Sequence, residues 1–144
     1  MKTAVADDVL DRLFELAVLL GEAMNRRLAE RGLTPARAEV IWLLHQGGPR
    51  TQRQLSEALK CTPRNVTGLV DALESGGFVA RNAHPTDRRA TLVTLTKRGT
   101  TLVTQWRRDR DVGAAQLIGD TSAAELTTVV NVLDRILAGL RPSS

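Results

Sequence analysis

The sequence predicts a mainly α fold with one small β-hairpin, and three observations carry that prediction. Apolar residues recur at helical spacing over most of the chain. The period changes to short β-branched runs between Phe78 and Leu95. Two short helical patterns, TQRQLSEAL and TPRNVTGLVDALESGG, stand directly before those runs. A pair of helices joined by a tight turn and followed by a hairpin is a winged helix-turn-helix, here flanked by N- and C-terminal helices suited to dimerisation.

The elements follow in order. From about Ala6 to Arg31, Val9, Leu13, Leu16 and Leu20, with Leu10, Phe14, Ala17, Met24 and Leu28, give a long amphipathic helix that Gly32 ends. Thr34 is an N-cap, with Pro35 at the first helical position. The helix it opens carries Val40, Ile41, Trp42 and Leu44 and stops at Gly47-Gly48-Pro49. Thr51 and Gln54 form a capping box for a short helix through Leu59. Lys60-Cys61 makes the turn, and Thr62-Pro63 starts a helix closed by Gly76-Gly77. Residues 78–82 and 91–95 are the hairpin strands around a polar loop. Thr96 caps a helix to about Ile118. Ser122 and Glu125 form a second capping box, and the last helix shows Leu126, Val129, Val130, Leu133, Ile136, Leu137 and Leu140 on one face. The expected organisation is one domain over 1–144, with a winged lobe at 34–96 and a helical dimerisation region at 5–31 and 97–141.

Composition narrows the function. At 144 residues, 42% hydrophobic and 25% charged, the chain has the make-up of one soluble domain. No apolar run approaches the roughly 20 residues of a membrane span. The acidic start (Asp7, Asp8, Asp11) does not suit a signal peptide. The single cysteine, Cys61, excludes an internal disulfide and fits a reducing cytoplasm. The net charge of +4 is unevenly spread: residues 50–110 hold twelve Lys/Arg against five acids, and the remainder holds eight against eleven. A basic excess confined to the helix-turn-helix segment and the start of the next helix is the footprint of a polyanion partner, the alternative being a solvated basic surface. The terminal helices carry apolar stripes longer than the central module can cover. Interleaving with a second copy covers them; the alternative is a monomeric helical bundle.

Within the helix opened by Thr62, the residues Val66, Leu69, Val70 and Leu73 share the buried face. Arg64, Thr67, Gly68 and Asp71 lie opposite, with Asn65 at the flank. A face that is polar and short-chained near its N-terminus is one that meets base edges in a major groove. Arg64 has the fork for guanine O6/N7 and Asn65 the amide for adenine N6/N7. Thr62, with Pro63 beside it at the helix start, can bond phosphate. Gly68 leaves room for a groove wall or for a close helix crossing. At the hairpin tip, Arg88 and Arg89 are long cations on a narrow loop, suited to a minor groove, with Asp87 placed to hold the Arg89 guanidinium. Double-stranded DNA is the expected partner, although the tip also reads as a solvated turn.

These residues resemble the MarR family of bacterial transcriptional regulators. The resemblance runs from Leu33-Thr34-Pro35 through Thr96-Lys97-Arg98-Gly99 and includes the flanking helices. Its most specific part is Leu73-Glu74-Ser75-Gly76-Gly77-Phe78-Val79-Ala80-Arg81 followed by Asp87-Arg88-Arg89, which matches the family's Asp-x-Arg wing signature. It implies a homodimeric repressor on a pseudo-palindromic operator, released by small anionic or phenolic ligands. By that likeness Arg89 is the minor-groove arginine with Asp87 its partner, Arg64, Asn65 and Thr67 read the major groove, and Arg81 and Arg53 face phosphates. Two departures stand out. Lys60 occupies a turn position usually held by glycine, and Ala38 one that is often large, with Trp42 placed to refill the space.

Other residues carry less. Cys61 reads either as a redox switch or as a small buried hydrophobe before the recognition helix. His45 and His84 with one cysteine do not make a zinc site, so no metal or other cofactor is expected. His84 reads as a polar loop residue or a phosphate contact. Trp106 could line an effector pocket with Phe14, Trp42 and His45, or serve helix packing. No phosphate loop or nucleophile-base pair argues for an enzyme. The expected function is sequence-specific transcriptional regulation in the cytoplasm, at the nucleoid. The competing expectation is a winged-helix protein-interaction module.

Overall fold

The computed structural model describes residues 2–142. Among them run α1 (Lys2–Glu30), α2 (Pro35–Gly47), β1 (Arg50–Thr51), α3 (Gln52–Leu59), α4 (Pro63–Ser75), β2 (Val79–Ala83), β3 (Thr91–Leu95), α5 (Lys97–Ile118) and α6 (Ala123–Leu140).

The helix starts follow from their caps. The Thr34 hydroxyl oxygen accepts the Arg37 N–H at 3.3 Å, and Pro35 needs no intrahelical acceptor for a missing N–H. Thr51 and Gln54 exchange bonds of 3.1 and 2.9 Å, satisfying two otherwise orphaned donors. Thr62 caps α4 by accepting from Asn65 N–H at 3.2 Å. Each such cap contributes about 1 kcal/mol relative to alanine. At the α3–α4 turn Lys60 takes φ 52°, ψ 43°, the left-handed conformation that glycine adopts without cost. The Ser56 hydroxyl holds that turn by donating to the Cys61 carbonyl at 2.6 Å.

The strands differ from expectation in two ways. The first hairpin strand begins at Val79 rather than Phe78 and extends to Ala83. A third strand, β1, pairs with β3, so the sheet is antiparallel in the order β1-β3-β2. Arg50 lies opposite Val93 and Thr51 opposite Leu92. Two residues are too few to show a period in the sequence, and only β3's free edge creates the strand. Helix α1 also begins earlier than predicted, at Lys2.

The chain divides into two compact units, Met1–Thr104 and Gln105–Ser144. The first contains every buried apolar side chain of the described residues. Val40, Ile41 and Leu44 of α2, Leu55 of α3, and Val66, Val70 and Leu73 of α4 pack with Val79 and Val93 of the sheet. The 66/70/73 spacing places three α4 side chains on one stripe. Leu69 was expected to share it but is only half-buried, because it sits at the stripe's edge beside a cleft. Gly77, at φ +78°, turns the chain from α4 into β2. Gly99 lies against the Phe78 carbonyl with no room for a Cβ, which seats the first turn of α5 on the sheet. Within the second unit no described side chain is buried, and Val129, Val130, Leu137 and Leu140 of α6 are all exposed. No helix among the described residues is long and apolar enough to cross a membrane.

Candidate nucleic-acid interface

Helix α4 turns Val66, Val70 and Leu73 inward, which leaves Arg64, Asn65, Thr67 and Gly68 exposed on the other side. Around Gly68 a Cβ would meet nothing within 4 Å, so no second helix crosses there; of the two readings of this glycine, open space is the one that holds. A cleft of about 490 Å³ opens along this side, lined by Arg37 and Glu39 of α2, by Cys61, and by Arg64, Asn65 and Gly68. Cys61 is half-buried at its wall. Among the described residues Arg64 has no ion pair.

The wing tip is a hydrogen-bonded turn. Ala90 N–H donates to the Asp87 carbonyl at 3.2 Å and His84 N–H to the Ala90 carbonyl at 3.3 Å. Asp87 does not hold the Arg89 guanidinium as expected; its Oδ1 accepts the Arg89 backbone N–H at 3.0 Å. A short carboxylate two residues upstream reaches the main chain more readily than the end of a long side chain. His84 is likewise a turn residue: its Nδ1 accepts the N–H groups of Thr86 at 3.2 Å and Asp87 at 3.0 Å. Accepting through Nδ1 puts the neutral ring's proton on Nε2. Arg88 and Arg89 are exposed and, among the described residues, form no ion pair.

Arg81 differs most from its sequence reading as a phosphate-facing cation. Its side chain is 23% exposed, with Nη2 2.6 Å from Asp71 and Nη1 3.0 Å from Glu74. Nε donates to Gln52 Oε1 at 3.2 Å. Partial burial disfavours the charge, but the hydrogen bonds and attraction of Asp71 and Glu74 outweigh it and raise the pKa above the ordinary arginine value. The guanidinium therefore ties β2 to α4 and offsets one of the two negative charges of Asp71 and Glu74. Arg53, by contrast, is fully solvated and only 3.4 Å from Glu57 one turn on, a weak exposed pair. Thr67 is engaged as well: its hydroxyl donates to the Pro63 carbonyl at 3.0 Å and accepts from Gln52 Nε2 at 3.1 Å. Gln52 was not singled out from sequence, where it is one more polar residue at a helix start. Only its distance of 29 residues from Arg81, closed by the sheet, gives it a role.

Of the expected effector residues, Trp42 and His45 come together on α2 with ring centroids 5.9 Å apart. Phe14 is 70% exposed on α1. Trp106 is half-buried and belongs to the second unit. No group of three or more His, Cys, Asp or Glu among the described residues could hold a metal ion.

Residues 33–91 match the MarR family model. The chain carries a MarR-family domain. It is 27% identical over 117 residues to the HTH-type transcriptional regulator MhqR of Bacillus subtilis, covering 81% of each protein. Against other B. subtilis regulators the matched stretch spans 52% to 64% of the relative's length. In fold, the chain superposes on the YusO protein of B. subtilis with a TM-score of 0.86, covering 98% of this chain and 99% of that one at 22% identity. The S. aureus MepR–DNA complex aligns with a TM-score of 0.75 and 22% identity, covering 88% of this chain and 96% of MepR. Among the described residues the architecture is thus a winged helix-turn-helix of six helices and a small three-stranded sheet, and the named relatives are transcriptional regulators rather than enzymes.

Proposed function

We propose that this protein is a sequence-specific DNA-binding transcriptional regulator, a repressor acting in the cytoplasm as a homodimer on a pseudo-palindromic operator. The observation that carries the proposal is the exposure of Asn65 and of Arg64, Arg88 and Arg89, which form no ion pair among the described residues, while the neighbouring acids Asp71 and Glu74 are both paired with Arg81. In this reading α4 enters a major groove, where Arg64 and Asn65 meet base edges and Gly68 lets the groove wall approach. Thr62, Pro63 and Arg53 lie along phosphates, and the wing arginines reach the adjacent minor groove. Thr67 contributes its methyl group and one lone pair. Asp87 shapes the tip from which Arg88 and Arg89 project. Arg81 contributes by pairing with Asp71 and Glu74 rather than by phosphate contact.

Residues 34–96 form the reading lobe, and 5–31 with 97–141 supply the dimer contacts. The two copies of α4 must lie about 34 Å apart to meet successive major grooves. A small anionic or phenolic effector that changes this separation therefore changes operator affinity, and the Trp42–His45 pair is the place to look for its contacts. Selection of bound duplexes from a random pool tests the reading: it should return an inverted repeat with half-sites one helical turn apart. Arg89→Ala should weaken binding to the selected duplex by about tenfold or more, equivalent to ~1–3 kcal/mol, with an unchanged circular dichroism spectrum. Unchanged affinity for every duplex would instead favour a protein-interaction module.

A further inference from the structure

We infer that Gln52 is a positioning residue that couples the base of the wing to the recognition helix. Its consequence for operator affinity rests on the DNA-binding reading above; its geometry does not. Gln52 is the first residue of α3 and is half-buried. Its Oε1 accepts from Arg81 Nε of β2 at 3.2 Å, and its Nε2 donates to Thr67 Oγ1 of α4 at 3.1 Å. One planar amide thus joins two elements that lie 29 and 15 residues away along the chain.

The partners fix which way the amide faces. A guanidinium nitrogen only donates, so the atom opposite Arg81 must be the oxygen, and the nitrogen is left for Thr67. The Thr67 proton goes to the Pro63 carbonyl at 3.0 Å, so the Thr67 oxygen is free to accept. The relay runs in one direction: Arg81 N–H to Gln52 oxygen, Gln52 N–H to Thr67 oxygen, Thr67 O–H to the Pro63 carbonyl. Reversing the amide would set donor against donor at Arg81. Nor can the guanidinium turn away from Gln52, because Asp71 and Glu74 hold its other two nitrogens.

Two properties follow for DNA reading. A shift of β2 moves Gln52, and through it the first turn of α4, where Arg64 and Asn65 stand; wing and helix therefore dock as one preorganised piece. The Thr67 hydroxyl, its proton committed, can offer a base only a lone pair or its methyl group. It favours a thymine methyl or an exocyclic amine over the guanine acceptors.

A double-mutant cycle tests the coupling without DNA. Arg81→Lys and Thr67→Val change residues that share no hydrogen bond, so their effects on urea unfolding should be non-additive with Gln52 present and additive in a Gln52→Leu background. With the duplex selected by the wild-type protein, Gln52→Leu should bind about tenfold more weakly while affinity for unrelated duplex stays near wild type. If Gln52→Leu does not fold, Gln52→Glu replaces it: it keeps the acceptor for Arg81 and loses the donor to Thr67, and should show the same loss on the selected duplex. Additive effects in the wild-type background, or wild-type affinity in the Gln52 variant, would overturn the inference. If the wild-type protein selects no duplex, the DNA-binding reading fails instead, and the unfolding cycle alone decides whether Gln52 couples the two elements.

Discussion

Helices α4 and α6 both carry valines and leucines at helical spacing, yet α4 buries Val66, Val70 and Leu73 whereas α6 buries nothing among its described residues. Both N-termini are capped, by Thr62 and Ser122, and α6 has the fuller cap because Glu125 completes a capping box. The difference lies in their neighbours. Helix α4 has α2, α3 and β2 against its apolar stripe, and Val66 and Val70 are fully enclosed. Val130 of α6 remains 55% exposed and Leu140 76%. An apolar stripe is a demand for cover, and whether the same chain meets it is decided by topology. On α4 the demand is met and the opposite face is left exposed to solvent. On α6 it is unmet, which is the physical basis for expecting a second copy.

The sharpest test of that contrast is truncation on the two sides. Leu55→Ala, in the enclosed core of the lobe, should destabilise by about 2–5 kcal/mol in urea denaturation. A loss no larger than that from an exposed leucine would break the distinction. Next in size, Val130→Glu combined with Leu137→Glu should raise the dimer dissociation constant by at least about tenfold, from buried like charges and lost apolar area. Light scattering at micromolar concentration reads it, and an unchanged mass for both proteins would remove the dimer proposal. Gly68→Ala should act in opposite directions on stability and binding. The open space around Gly68 admits a methyl group, so the melting temperature rises with up to about 1 kcal/mol of helix propensity. The same methyl should lower affinity for the selected duplex if α4 lies close in a groove.

The smallest effect belongs to the α6 cap. Glu125 accepts from the Ser122 hydroxyl at 2.7 Å and from the Ser122 backbone N–H at 3.0 Å. These bonds, the hydroxyl's first, hold its pKa below the usual carboxylate value. A depressed acid contributes stability above its unfolded pKa and loses it as pH falls through the folded one. Amide exchange in the first turn of α6 should therefore be slower in the wild type than in Glu125→Gln at neutral pH. The difference should close once the medium is more acid than the folded-state pKa of Glu125. A difference that persisted there would mean that charge on Glu125 is not what supports the cap.

The winged architecture was legible because its signals are local. Thr34-Pro35, the Thr51–Gln54 box, Thr62-Pro63 and Gly77 each act within a few residues, and the structure uses all four. Strand β1 was not legible, since Arg50 and Thr51 become a strand only beside β3. Among site residues, exposure of Arg64, Asn65, Arg88 and Arg89 followed from helical phase and loop position. The engagements of Arg81, Thr67 and Gln52 did not, because they depend on where β2 and α3 meet α4. Nor could composition distinguish an arginine that offers its charge outward from one that is paired with two neighbouring acids.

The amino-acid order alone determined where the capped helices begin, which faces are apolar, and that a cationic loop follows a short polar-faced helix. Those properties arise from caps, periodicity and turn chemistry, whose range is a few residues along the chain. Tertiary structure alone decided that Arg81 is paired with Asp71 and Glu74 and that one glutamine amide links wing and helix. Hydrogen-bond partners are chosen by distance in space, and only the packed chain sets those distances.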